Sequence, residues 1–259
     1  MLETMNEQDK RVIADAGIAR VAMVTGAAVR VGAAIAETLH AQGFRVVIHC
    51  RHSRAEAEAL AARLNAARAD SAAVLAADLT DLPALPAFAR AARARWGRID
   101  ALVNNASSYF RTPLAAVTPA QFSDLIGSNL AAPLFLSQAC AAFPELRGIV
   151  NIVDVHARRP RAEYAPYFAA KAGLWTLTEA LAVELAPRVR VNGVAPGHMI
   201  WAANPTLTPQ QQAAELARIP LGRLGGADEV AKAVAFLLSA ASDYMTGAVL
   251  PVDGGLRLA

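Results

Sequence analysis

Val21-Ala22-Met23-Val24-Thr25-Gly26-Ala27-Ala28-Val29-Arg30-Val31-Gly32 runs from an apolar tetrapeptide through a glycine turn into a helical pattern that continues to about Gln42. Consecutive apolar residues without alternation fit a strand buried on both faces. Gly26 permits a tight turn directly after that strand. Gly32 lets the following helix pack close to the sheet. The start of that helix offers N–H groups and the positive end of its dipole, an arrangement suited to a pyrophosphate.

The same alternation continues outward. Further strands are predicted at Arg45–His49, Ala73–Ala76, Ala101–Val103, Gly148–Val153, Val189–Val194 and Ala248–Val252. Helical patterns lie between them: Arg54–Arg68, a helix ending near Trp96, Phe122–Phe143, Tyr164–Ala186 and Glu229–Ser239. Apolar strands separated by helices imply a parallel sheet with right-handed crossovers. The fold class expected is therefore α/β: a single-domain, Rossmann-like, doubly wound parallel sheet of about seven strands with helices on both faces. No repeat, linker or low-complexity tract divides the chain. One catalytic domain is expected over residues 21–259, after a leader over residues 1–20. The segment Gly197–Thr208, rich in Pro and Asn, is the least regular and is expected to be functional.

Composition narrows the class further. The 259 residues are 55% hydrophobic and 18% charged, enough to cover a buried sheet and too apolar for disorder. The net charge of +3 comes from scattered arginines, which argues against a nucleic-acid stripe. Cys50 and Cys140 lack metal-ligand spacing and read as reduced thiols, and no metal is expected. No apolar run approaches the roughly 18 residues that cross a bilayer. Met1–Arg20 mixes charges without a signal-peptide core. A cytoplasmic protein is expected, with no membrane or nucleic-acid partner.

The second strand bears on cofactor choice. A carboxylate about 20 residues beyond the glycines binds the ribose 2′-hydroxyl in enzymes that use NAD. Here the strand ends His49-Cys50-Arg51-His52-Ser53, with no carboxylate. Arg51 offers a planar charged fork and Ser53 a hydroxyl, both suited to a 2′-phosphate, so NADP is favoured. Asp78-Leu79 follows the third strand and Asn104-Asn105-Ala106 the fourth, at the strand ends where open α/β sheets bind ligands. Tyr167 and Lys171 are four residues apart within a predicted helix and share a face. An ammonium beside a phenol is expected to bring its pKa down from about 10 and make it a usable proton donor.

These motifs and their order resemble those of short-chain dehydrogenases and reductases over essentially all of Val21–Ala259, including Pro196-Gly197 and Asp253-Gly254-Gly255. The resemblance implies a cofactor loop at Gly26, Arg30, Val31 and Gly32, with Arg30 replacing the loop's usual middle glycine. It implies cofactor contacts from Arg51, His52, Ser53, Asp78, Leu79, Asn105, Ala106, Ser107, Tyr167, Lys171, Pro196 and Gly197. Lys171 would hold the nicotinamide ribose, and Asn129 would hold a water-linked proton relay to it. A homotetramer is implied as well.

One departure narrows the substrate. Most members place a Ser about a dozen residues before the Tyr. Here Asp154 lies thirteen residues before Tyr167, with no Ser or Thr nearby. A carboxyl group there can hydrogen-bond a ring nitrogen or relay a proton, and is poorly suited to holding a simple ketone. Arg30, Asp154 and the run Asn105-Ala106-Ser107-Ser108-Tyr109 together resemble the pteridine reductase subgroup. That resemblance implies a pterin, of biopterin, monapterin or folate type, stacked on Tyr109. The substrate contacts would come from Arg30, Ser107, Asp154, Tyr167 and the segment Gly197, His198, Met199, Ile200 and Trp201. Two alternatives stay open: a 3-oxoacyl thioester or other carbonyl reductase of the same family, and a non-catalytic NADPH-binding regulator.

Overall fold

In the computed structural model, residues 19–199 and 208–259 are described. The expected leader lies almost wholly outside the described residues, as do Ile200 and Trp201.

Seven parallel strands form one sheet in the order β3-β2-β1-β4-β5-β6-β7. They are β1 (Val21–Val24), β2 (Arg45–Cys50), β3 (Ala72–Ala76), β4 (Ala101–Asn104), β5 (Gly148–Ile152), β6 (Arg190–Pro196) and β7 (Val249–Val252). Side chains along a strand point alternately to opposite faces. Ala22 and Val24 of β1 accordingly enter one apolar layer, and Val21 and Met23 the other. The first layer is completed by α1 (Arg30–Ala41), α2 (Arg54–Ala67) and α8 (Ala227–Leu237), through Ile35, Leu60 and Val234. The second is completed by α3 (Leu85–Ala94), α5 (Ala132–Ala141) and α6 (Ala165–Leu185), through Phe88, Leu136 and Leu181. Both faces are covered, which explains the unbroken apolar runs. Pro251 is accommodated because β7 is an edge strand.

The chain order reverses at β1, where β2 pairs on one side and β4 on the other. At such a switch point the loops leaving neighbouring strands diverge and open a crevice. Arg98 and Asp100 form a buried bidentate ion pair at 2.6 and 2.8 Å, and Val21 N–H donates to the same carboxylate at 2.7 Å. This pins the start of β1 to the approach to β4.

A buried polar ladder crosses the middle of the sheet. Asn104 Nδ2 donates to Asn151 Oδ1 at 2.8 Å, Asn151 Nδ2 to Thr178 Oγ1 at 2.9 Å, and Thr178 Oγ1 to Leu174 O at 2.7 Å. β4, β5 and α6 are tied together by it.

Two expectations need correction. The single helix expected over Phe122–Phe143 is α4 (Pro119–Ile126) and α5, separated by a widened turn over Gly127–Ala131. Within that turn Asn129 Nδ2 donates to Leu125 O at 3.0 Å, so a side chain competes with the backbone ladder. The second concerns α7 (Pro209–Ala217), which directly follows the segment expected to be irregular and went unforeseen. Thr208 and Gln211 form a capping box around Pro209, a start signal present in the sequence.

Candidate active site

The crevice at the switch point is a cavity of about 590 Å³, within the usual range for a ligand pocket. One end is built from the loop after β1. Gly26 has φ +60°, and a Cβ there would lie 2.9 Å from Ala106 Cα. A Cβ on Gly32 would lie 2.1 Å from Gly26 O and 2.6 Å from Asn105 Nδ2. The backbone must therefore approach this closely, which only glycine permits. Thr25 Oγ1 accepts from Asn105 N–H at 2.9 Å and Ala106 N–H at 3.0 Å, fastening the loop to the end of β4. The residue preceding α1, Val29, makes no side-chain cap, and Arg30, Val31 and Gly32 of the first turn line the crevice.

Arg30 adopts φ +54°, the left-handed conformation that glycine takes at low cost. A bulky residue held there points to a role for its side chain, which lines the cavity beside Val31. His49, near the end of β2, has a role that its place in the sequence did not suggest. Its Nδ1 accepts from Gly26 N–H at 3.0 Å and its Nε2 donates to Ala77 O at 3.1 Å. Burial holds this imidazole below its ordinary pKa, and the neutral ring braces the glycine turn.

Arg51 pairs with Asp78 at 2.7 Å and lies 3.8 Å from Asp124. Its partly exposed guanidinium also lines the cavity, as do Asp78 and Leu79. His52 and Ser53 stand outside the cavity lining, next to Arg51. Ser53 precedes α2 without capping it by its side chain.

At the other end, β5 delivers Asp154 and α6 delivers Tyr167 and Lys171. The Tyr167 hydroxyl donates to Asp154 Oδ2 at 3.0 Å, and His156 N–H donates to Asp154 Oδ1 at 2.7 Å. Asp154 is thus fixed and aimed at the phenol. Lys171 is buried, donates to Ile152 O at 2.8 Å, and sits 5.8 Å from the centre of the Tyr167 ring. Burial brings its pKa down to about 8, against the opposing pull of Asp154.

The phenol shifts in the direction opposite to the one expected. Burial, the Asp154 charge and the Asp154 hydrogen bond push Tyr167 well above its ordinary value. Tyr167 is therefore held protonated, as a proton donor must be. The Asn129 side chain is bonded within its own neighbourhood. Its Nδ2 donates to Ser108 O and Leu125 O, and its Oδ1 accepts from Ser107 Oγ at 2.6 Å. It is buried behind Ser107, outside the cavity lining.

Tyr109 is 57% exposed and already partly covered. Tyr164 stacks on it at 4.9 Å and 6°, and Tyr167 meets it edge-on at 4.8 Å. Tyr164 was missed in the sequence because only the fold brings it to Tyr109. Pro196, Gly197, His198 and Met199 complete the wall. Arg161 Nη1 lies 3.1 Å from His198 Nε2. Arginine can only donate, so Nε2 accepts and the His198 proton sits on Nδ1, 3.6 Å from Glu215. Among the described residues no helix is long and apolar enough to cross a membrane, and no cluster could hold a metal.

A family model described as enoyl-(acyl carrier protein) reductase matches residues 26–257. The chain is 38% identical to pteridine reductase 1 of Leishmania tarentolae, covering 93% of this chain and 97% of that one. It is equally identical, at 38%, to the 3-oxoacyl-(acyl-carrier-protein) reductase of Escherichia coli K12, covering 92% and 98%. An uncharacterized oxidoreductase of Methylorubrum extorquens is 35% identical over 92% and 98%. With this sheet order, glycine turn and Tyr–Lys helix, the chain belongs to the short-chain dehydrogenase/reductase family of oxidoreductases, and a pteridine reductase is among its relatives.

Proposed function

We propose that the protein is an NADPH-dependent pteridine reductase acting on pterins or dihydropterins. The observation that carries this reading is the 3.0 Å hydrogen bond from Tyr167 to a carboxylate at position 154. A carboxylate in this place can receive and pass a proton next to a basic ring nitrogen. It would repel the carbonyl oxygen of a simple ketone.

The residues fit a dinucleotide. The glycine approach at Gly26 and Gly32 makes room for a pyrophosphate against the α1 N-terminus. Arg51, with His52 and Ser53 beside it, would hold a ribose 2′-phosphate. Asp78 and Leu79 would border the adenine. Asn105, Ala106, Pro196, Gly197 and Lys171 would border the nicotinamide ribose and ring. When bound, the reduced cofactor supplies a hydride.

The chain's own residues manage the proton. Tyr167, kept protonated by burial and by Asp154, donates to the ring nitrogen beside the carbon being reduced. The phenolate left behind takes a replacement proton from solvent, passed through the hydrogen-bonded Asp154 carboxyl group. Lys171 and Asn129 support the donor from behind, Asn129 by fixing Ser107. Arg30 and Ser107 would bind the polar edge of the pterin, and the ring would lie on the Tyr109 face turned away from Tyr164. His198 and Met199 would close the far side. A cytoplasmic homotetramer, with residues 21–259 as the catalytic domain, belongs to the same proposal.

The test is NADPH oxidation by the purified protein with dihydrobiopterin, dihydromonapterin, dihydrofolate and a 3-oxoacyl thioester. Turnover of a dihydropterin is expected. Efficient reduction of the thioester with no pterin turnover would overturn the reading. The equal identity to a 3-oxoacyl reductase makes that the competing outcome.

A further inference from the structure

Beyond the wall formed by His156 and Arg161 lies a second cavity of about 260 Å³. Those two residues line both cavities, so the recess adjoins the substrate end of the site. Arg159, Arg161, Arg218 and Arg257 line it, and no carboxylate side chain does. The carboxylates nearby are engaged from outside the lining. Glu215 takes Arg161 at 2.5 Å and Arg218 at 3.4 Å, and Asp253 takes Arg257 at 2.9 Å. Arg159 Nη1 donates to the Ala259 carboxylate at 3.4 Å. Glu215, Asp253 and the Ala259 carboxylate face four guanidinium groups, which leaves the recess one positive charge in excess. His156 Nε2 is buried here with no hydrogen-bond partner among the described residues.

This volume is smaller than a whole ligand commonly fills, and suits one end of a ligand held in the main cavity. The guanidinium fork matches a carboxylate through two parallel N–H bonds. We propose that the recess seats an anionic substituent of the substrate, so that the preferred pterin carries a carboxylate-ended tail, as in dihydrofolate. The inference rests on the pteridine reductase reading for the identity of the ring, and on the recess alone for the tail.

Two measurements separate the parts. Binding of p-aminobenzoylglutamate, which has the tail and no pterin, is measured calorimetrically to the full chain loaded with NADP. Binding is expected, weakened about tenfold or more in Arg159→Ala and Arg218→Ala and restored towards the native value in Arg159→Lys. The KM for dihydrofolate relative to that for dihydrobiopterin, whose tail is uncharged, is expected to rise by a similar factor in the two alanine variants. No binding of the tail, binding indifferent to these substitutions, or binding of inorganic phosphate alone would overturn the inference, whether or not pterins are reduced. Turnover of dihydrobiopterin tests the ring assignment independently.

Discussion

The Tyr167 hydroxyl and the Asp154 carboxylate are joined by a 3.0 Å hydrogen bond, with the second carboxylate oxygen held by His156 N–H. Both oxygens are engaged, so the carboxylate cannot turn away from the phenol. Asp154→Asn keeps the shape and removes the charge. The kcat for dihydropterin reduction is expected to fall by about 100-fold or more, the usual scale of one acid–base group, with little change in the KM for NADPH. Steady-state kinetics checks this, and an unaltered kcat would take Asp154 out of the proton path.

Lys171 titrates near pH 8, below the 10.5 of an ordinary lysine, because burial penalises its charge. If the ammonium is the working form, kcat/KM declines above about pH 8, and a pH–rate profile flat to pH 10 would contradict it. Stability moves in the opposite sense. The buried charge burdens the fold fully below pH 8, and the burden lifts between about 8 and 10.5. Denaturant titrations should therefore show native protein gaining on Lys171→Met as pH rises through that window.

Arg30 holds a backbone conformation that costs a non-glycine residue about 1–2 kcal/mol. Arg30→Gly removes that strain and adds roughly 0.5–1 kcal/mol of chain entropy cost, so stability is expected to stay level or rise by up to about 1 kcal/mol. The KM for NADPH or pterin should nonetheless rise about tenfold or more, through the lost charged donor. Thermal melts and kinetics on the same variant test both halves.

Asp100→Ala should act on the fold and not on the chemistry. It leaves the buried Arg98 without this carboxylate and Val21 N–H without its acceptor. A loss of about 3–5 kcal/mol is expected in chemical denaturation. A loss under about 1 kcal/mol would mean that water replaces the carboxylate readily.

Much of this architecture was legible in the residues. Unbroken apolar runs such as Val21–Val24 can only be buried on both faces, and the order of the motifs fixed the class of sheet. Tyr167 and Lys171 could be paired because helical spacing is local. Contacts between distant loops were not legible. The stacking of Tyr109 on Tyr164 joins segments 55 positions apart, and nothing in either announces the other. The bond from Gly26 to His49 is hidden for the same reason. The break at Gly127–Ala131 escaped notice because apolar periodicity carries on through it, while the cause is the Asn129 amide reaching back to Leu125. The direction of the Tyr167 shift was misread because a neighbouring lysine was visible in sequence and the depth of burial was not.

The ladder from Asn104 through Asn151 to Thr178 has a bearing on how such an enzyme can change its diet. Apolar contact is non-directional and would let a helix slide or roll on a sheet, whereas hydrogen bonds demand angle as well as distance. The ladder indexes α6 against β4 and β5. Tyr109, Arg161 and His198, by contrast, belong to connections between elements and are not gripped by it. The proton donor and the selection of its target are thus mechanically separate. The mouth can be rebuilt for a new ring or tail while the donor stays in register.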